Sequence, residues 1–342
     1  LFPGKILIVG SDQVWSIEKI YLKYLAELEI ETELFAAQNF FFSYYNKSLI
    51  NKIFFRLGIS SIYKKINELL FKKAKQYKPD VVWIFKGMEV FPKTIDQLKL
   101  NGCKVVNYNP DNPFIFSGRG SGNENVKDSI GKYDLHFVYD KAVQKKIAEE
   151  YSIKTAYLPF GFDLDESLYN ECILQPEIVK VCFLGNPDNE RAAFLKKLLD
   201  NGNAIDIYGN DWNKFINHPN ASLFPPVYGN ELWKILRRYR VQLNLMRIHN
   251  INSHNMRSFE IPAVGGIMIA PDTPEHKMFF ENEKEIFLFK NLNECVEKIH
   301  HVLNLTADDA NQIRNNARYR SISAGYSYKD RAKTVYETFE KL

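Results

Sequence analysis

Residues 250–272, NINSHNMRSFEIPAVGGIMIAPD, decide how the rest of the chain is read. They follow an apolar run that ends at Met246 and open with a polar segment carrying amides and a basic residue. A helix-like piece then stops at Gly265-Gly266, and the short apolar run 267–270 closes on Pro271-Asp272. The order is strand, polar loop, helix, glycine stop, strand. In an open α/β sheet the loop at the carboxyl end of a strand opens into the ligand crevice, and the helix beyond it offers unpaired N–H groups to an anion. Arg257 suits a forked contact with phosphate oxygens, while Glu260, one turn on, can accept two hydroxyl hydrogens from a ribose. The same spacing also describes an ordinary surface ion pair, worth roughly 0.2–0.5 kcal/mol on a helix. Taken alone, the stretch leaves both readings open.

Upstream of it the same grammar recurs. The run 180–185 (KVCFLG) reads as a strand ending in glycine, followed by a loop at 186–190, a helix from Arg191 and a strand at 204–208 before Gly209. A helix at 231–239 and a strand at 241–246 lead into the decisive stretch, and helices at 293–303, 308–321 and 328–342 follow it. Nearer the start, strands are expected at 5–10 (KILIVG), 33–37, 81–85 (VVWIF), 104–108 (KVVNY) and 135–139. Helices are expected at 14–28, capped by Ser11 or Asp12, and at 141–151. Strands alternating with helices predict mostly parallel sheets, and the series restarts after 157–165 (YLPFGFDLD). The expected organisation is two doubly wound domains, 1–162 and 163–327, with the last helix, 328–342, returning to the first domain. Such a pair sets the carboxyl ends of both sheets across one cleft, which suits a two-substrate enzyme.

Composition narrows the function classes. The chain has 342 residues, 45% apolar and 25% charged, the balance of a globular protein large enough for two cores. Its net charge, 45 − 41 = +4, is too mild for a dedicated nucleic-acid binder. No apolar run approaches the roughly 20 residues of a membrane span. Cys103, Cys172, Cys182 and Cys295 are scattered through apolar or helical patterns and read as buried thiols of a reducing cytosol. His249 and His254, or His300 and His301, do not share a helix face, so no metal site is expected. Residues 40–77 break the pattern: aromatics are interleaved with base, and nine basic residues stand against one acid, Glu68, between Lys47 and Lys78. One reading is peripheral contact with an anionic membrane, at about 1 kcal/mol per basic residue near the surface. The other is an ordinary helix pair whose lysines lie over their own core.

At this point the residues resemble glycosyltransferases of the GT-B fold, and among them the family represented by the spore-maturation protein CgeB. The resemblance is carried by FLGN (183–186) with Arg191, IYGNDW (207–212), VQLNL (241–245) and above all NMRSFEIPAVGG (255–266). Before Gly161 it rests on KILIVG, YNPDNP (108–113) and LPFGFD (158–163). It implies an α/β fold of two Rossmann-like domains facing each other across a cleft, the first binding acceptor and the second a nucleotide sugar. In the broader family 4 pattern two glutamates stand eight positions apart; Glu260 matches the second, which implies ribose binding, and Asn252 stands at the first. An arginine and a lysine of the same pattern correspond to Asn186 and Arg191 here, and Arg257 takes the place of the missing cation. The donor-binding set implied is Gly185, Asn186, Arg191, Tyr208, Gly209, Tyr228, Asn252, Asn255, Arg257 and Glu260, with Tyr208, Gly209 and the 226–228 loop lining base and ribose.

A nucleoside-diphosphate leaving group gains negative charge as the glycosidic bond breaks, and preorganised guanidiniums stabilise that charge without a metal or other cofactor. The Asp163-x-Asp165 pair imitates a metal-binding DxD, but its place at the domain hinge argues against that role. For the acceptor, a glycan or glycolipid, Asp111 in the rigid Asn-Pro-Asp-Asn-Pro frame and Asp12 after the first strand are the candidate bases, although turn and capping chemistry would use the same residues. The expectation is a retaining, cytoplasmic, peripherally membrane-associated glycosyltransferase of surface-polysaccharide or glycolipid assembly. An epimerase of the same fold and a non-catalytic nucleotide-binding scaffold are the alternatives. A nicotinamide dehydrogenase is disfavoured, because Gly10-Ser11-Asp12 and Gly185-Asn186-Pro187 lack the three-glycine loop.

Overall fold

The computed structural model describes residues 4–116 and 120–342, which form two compact units, Leu1–Pro159 with Tyr328–Leu342, and Phe160–Ser327. The first unit runs β1 (Ile6–Val9), α1 (Ile17–Glu27), β2 (Thr32–Phe35), α2 (Ala37–Tyr45), α3 (Leu49–Arg56), α4 (Ile62–Tyr77) and β3 (Val81–Phe85). It continues through α5 (Pro92–Leu100), β4 (Lys104–Asn109), α6 (Glu124–Ser129), β5 (Leu135–Val138), α7 (Lys141–Tyr151) and β6 (Lys154–Tyr157). Its six strands are all parallel, in the order β2-β1-β3-β4-β5-β6. β1 and β3 are buried at every residue, as uninterrupted apolar runs must be when helices cover both faces.

The second unit begins with α8 (Glu166–Ile173), β7 (Ile178–Leu184), α9 (Asn189–Asp200), β8 (Ile205–Tyr208), β9 (Ala221–Phe224) and α10 (Gly229–Arg238). Then come β10 (Tyr239–Leu243), α11 (Arg257–Ala263), β11 (Met268–Pro271), α12 (Pro274–Phe279), β12 (Phe287–Phe289), α13 (Leu292–Leu303) and α14 (Ala307–Ser323). This sheet is also parallel throughout, ordered β12-β11-β10-β7-β8-β9. The last helix, α15 (Tyr328–Phe339), packs in the first unit: Tyr328 meets Tyr21 of α1 edge-on at 5.6 Å, and Phe339 meets Trp83 of β3 at 5.7 Å. Strand order reverses between β1 and β3 in one unit and between β7 and β10 in the other. Those are the places where doubly wound sheets open a crevice.

Several elements differ from the sequence expectation. α1 starts later than predicted and is capped by Ser16, whose Oγ accepts from Lys19 N, rather than by Ser11 or Asp12. The loop before it curls because Glu18 reaches back and accepts the Ser11 N–H at 2.9 Å. The stretch 157–176, expected to be strand, turn and polar linker, contains a helix instead: Asp165 caps α8, accepting from Leu168 N at 2.8 Å. That capping duty also accounts for one half of the Asp163-x-Asp165 pair.

Residues 40–77 make three helices, not a pair. α4 buries Ile62, Ile66, Leu70 and Ala74, one stripe at helical spacing. Phe41 and Phe55 pack together at 4.8 Å against that core. α3 buries nothing, and Leu49, Ile50, Ile53, Phe54 and Leu57 stay exposed on and just after it.

Candidate active site

The decisive stretch folds as a loop pinned from both sides. Asn255 holds the entry to α11: its Oδ1 accepts from Ser258 N at 3.1 Å, and its Nδ2 donates to Asn244 Oδ1 at 2.8 Å. Ser258 is fully buried and hydrogen-bonds His276 Nε2 at 2.8 Å, while His276 Nδ1 lies 2.8 Å from the Pro271 carbonyl. Because that carbonyl can only accept, Nδ1 carries the hydrogen and Nε2 accepts from the serine hydroxyl. Burial pulls the His276 imidazole down to about 4, which keeps it neutral in this role. A second network joins Ser253, His254 and Glu275, with His254 Nε2 accepting the Phe160 N–H at 3.2 Å. At its far end α11 is closed by Arg318, whose Nη1 donates to the Ala263 carbonyl at 2.6 Å. Gly265 has φ +71°, and a Cβ on Gly266 would stand 2.8 Å from the Leu236 carbonyl oxygen, so both glycines of the stop are required by backbone geometry.

The result is a fixed platform that sets Arg257 and Glu260 beside the carboxyl ends of β7 and β10. The two side chains are paired, Arg257 Nη1 to Glu260 Oε2, but this is not the surface pair that spacing alone would suggest. Their side chains are 23% and 7% exposed. Burial pulls the Arg257 guanidinium down to about 10, still fully charged at neutral pH. Arg191 lies on the neighbouring helix, α9, with Nη2 donating to the Leu245 carbonyl at 2.7 Å. Its value also falls to about 10, first through burial and then through the charge of Arg247. Arg247, at the end of the β10 loop, is a cation that sequence reading missed; only the fold brings it to this point. Asp188 caps α9 through Oδ1, at 2.9 Å from Arg191 N, and presents Oδ2 to both arginines, 3.6 Å from Arg191 Nε and 3.8 Å from Arg247 Nε.

Gly185 and Gly209 sit at the ends of β7 and β8. Gly209 has φ +156°, and a Cβ there would fall 2.3 Å from the Gly185 carbonyl oxygen, which accepts from Trp212 Nε1 at 2.8 Å. Asn186 bridges the same two loops, its Oδ1 accepting from Asn210 N at 3.2 Å. Tyr208 is buried, stacked on Phe224 at 4.7 Å, with its hydroxyl 3.0 Å from that of Tyr239. Tyr228 and Asn252 are exposed on their loops. The structure thus gathers Arg191, Arg257, Glu260, Gly185 and Asn186 at one crevice and uses Tyr208 largely as packing.

Residues 191–337 match the family model described as glycosyl transferase-like. Among solved structures, sucrose-phosphate synthase from Thermosynechococcus elongatus superposes with a TM-score of 0.71 at 11% identity, covering 98% of each chain. A glycosyltransferase from Rickettsia africae gives 0.67 at 14%, again over 98% of each. HepE of Anabaena in complex with UDP gives 0.62 at 12%, over 99% of this chain and all of that one. The fold is GT-B. The family match supplies the class of chemistry, and the enzyme is a glycosyltransferase. No curated protein matches the chain significantly in sequence.

The first GT-B unit has its own cluster at its switch point. Gly10 ends β1 against Glu18, whose Oε1 would lie 2.3 Å from any Cβ there. Just beyond β3, Lys86 has φ +59° and reaches Asp111 Oδ2 at 2.6 Å and the Gly120 carbonyl. Asp111 is itself set by an Asx turn, its N–H donating to Asn109 Oδ1 at 3.0 Å. Asp12, by contrast, is an exposed partner of Lys19 at 2.8 Å. Buried beside Lys86 are two acids that the sequence reading did not single out, Glu18 and Glu89. Burial raises both; Glu89 climbs to about 7, opposed by the Lys86 charge and helped by Glu18. Such a carboxyl can give or take a proton near neutrality.

Because the folded Glu89 value lies above its ordinary 4.5, its contribution to stability is complete below that pH and is lost as pH rises towards 7. Glu89→Gln is therefore expected to raise stability at pH 8 by on the order of 2 kcal/mol and to change little at pH 4.5. Thermal melts of both proteins at the two pH values test this; an equal effect at both would contradict a charge origin.

Proposed function

We propose that this GT-B enzyme transfers a sugar from a nucleoside diphosphate, UDP being the leading candidate, to a glycan or glycolipid of the cell envelope, without a metal and with retention. The second unit serves the donor and the first the acceptor. The observation that carries the reading is the set of guanidiniums at the β7/β10 crevice, Arg191 and Arg257 foremost, beside Glu260. They supply fixed positive charge where a diphosphate would leave, and fixed charge stabilises the departing phosphate more than the bound ground state. The binding of UDP by the HepE neighbour supports the choice of nucleotide. The NMRSFEIPAVGG resemblance supports the CgeB-like assignment, and the family 4 pattern whose second glutamate Glu260 matches supports retention. Asp111, held by Lys86, is the proposed acceptor-orienting carboxylate.

The test is a thermal-shift series with UDP, ADP, GDP and CDP in EDTA, followed by donor turnover with the nucleotide that binds. A ligand at a hundredfold excess over Kd stabilises the folded state by roughly 2.7 kcal/mol. No shift with any of the four would remove the basis of the reading.

Among the described residues no helix is long and apolar enough to cross a membrane. For a lipid-linked acceptor we propose peripheral docking through α3, where exposed Leu49 and Ile53, with Leu57 just after the helix, lie near the exposed cations Lys47 and Arg56. Cosedimentation with vesicles containing phosphatidylglycerol should fall at least fivefold for Leu49→Asp/Leu57→Asp, roughly the effect of removing two apolar anchors; equal binding would rule the surface out.

A further inference from the structure

The cations at the β7/β10 crevice are imperfectly satisfied in one particular way. Arg191, Arg247 and Arg257 belong to three different segments, yet Arg191 feels the charge of both others. Among the described residues two acids, Glu260 and Asp188, pair with them. Glu260 is committed to Arg257, whereas Asp188 Oδ2 stands 3.6 and 3.8 Å from the Nε atoms of Arg191 and Arg247, beyond hydrogen-bonding distance. Among the described residues, Asp188 Oδ2, Arg191 Nε and Arg257 Nε are buried without a hydrogen-bond partner. The Arg191 side chain is only 10% exposed. Buried guanidinium donors left open in this way are costly unless something else completes them. Asp188 is close enough to offset charge but too far away to bond.

We propose that Arg247 is a third cation of the diphosphate site and that Asp188 is its resident counter-anion, which stays in place and competes with the diphosphate for the arginines. This rests on the nucleotide reading of Arg191 and Arg257 and extends it. A diphosphate spans two phosphoryl groups and so can engage the outer Arg247 as well as the inner pair; a monophosphate has no second group to offer. Arg247, with 40% of its side chain exposed, is free to close on the ligand, while Asp188 stays fixed by its cap on α9. The carboxylate holds the arginines apart from one another's charge in the unliganded protein and then opposes the incoming anion. Diphosphate affinity is therefore set below what three arginines alone would give, which favours release of the nucleotide product.

The experiment uses titration calorimetry of the full chain in EDTA with UDP, UMP and inorganic pyrophosphate. Arg247→Ala should weaken UDP and pyrophosphate about tenfold or more and UMP by less than about threefold. Asp188→Asn keeps a capping side chain and removes the charge, so it should tighten UDP roughly three- to tenfold. Unliganded melting temperatures check that both variants are folded. If Arg257→Ala weakens UDP while Arg247→Ala does not, the third-cation proposal fails and the nucleotide reading stands. Weaker UDP binding by folded Asp188→Asn would overturn the counter-anion role. If the wild-type chain binds neither UDP nor pyrophosphate, both the proposal and the reading beneath it fall.

Discussion

Glu177→Ala should cost about 3–5 kcal/mol of stability, the largest loss expected from any single truncation considered for this chain. Glu177 precedes β7 and is gripped by two buried guanidiniums. Arg240 of β10 makes a fork, Nε to Oε1 at 2.7 Å and Nη2 to Oε2 at 2.5 Å, and Arg314 of α14 bonds Oε1. The two arginine side chains are 6% and 5% exposed, against 26% for the glutamate. Removing the carboxylate therefore leaves two buried positive charges facing each other, so the penalty is the stranded pair rather than one lost contact. The hydrogen bond from Arg240, assisted by Arg314, holds the Glu177 carboxyl down at about 2. A depressed value means that this stabilisation is present above the ordinary 4.5 and is lost as pH falls from there towards 2. Chemical unfolding of wild type and variant at pH 7 and pH 3 should show the difference shrinking at the lower pH. A constant difference would place the effect in packing. The pair lies at the amino end of the sheet, away from the crevice, so nucleotide affinity of the folded variant should be unchanged.

For Arg257→Ala the expected result is a loss of about 100-fold in nucleoside-diphosphate affinity, near 3 kcal/mol. Two effects act in the same direction. The phosphate loses a largely buried, forked donor, and Glu260, 7% exposed, loses its partner and becomes an uncompensated negative charge beside an anionic ligand. Arg257→Lys separates them: the charge remains and the fork does not, so an intermediate affinity is expected. Calorimetry with UDP in EDTA reads all three proteins. An affinity for Arg257→Ala within threefold of wild type would withdraw this arginine from the donor site, and the stability cost of breaking a buried pair would then be its only role.

The sequence by itself determined much of the local architecture. Periodicity placed β3 and α7 at their observed bounds, and the two adjacent glycines marked the end of α11 because backbone geometry there admits nothing else. Alternating apolar runs and helices implied parallel sheets, and the restart near residue 157 implied a second unit. Each of these signals is written in residues a few positions apart. The ion pair of Arg257 and Glu260 was equally legible, being one helical turn long, although its burial was not.

What only the tertiary structure decided is which strands are neighbours. Arg247 stands beside Arg191 and Asp188 because β10 pairs with β7, and Lys86 stands beside Glu18 because β3 pairs with β1. The same is true of Ser258 and His276, and of the Glu18 carboxylate that curls the loop before α1 and hands its cap to Ser16. None of these meetings has a spacing that a sequence can display. They follow from strand order and from burial, which through loss of water raises the Glu89 carboxyl and lowers the Arg191 and Arg257 guanidiniums, and burial is a property of the packed chain as a whole.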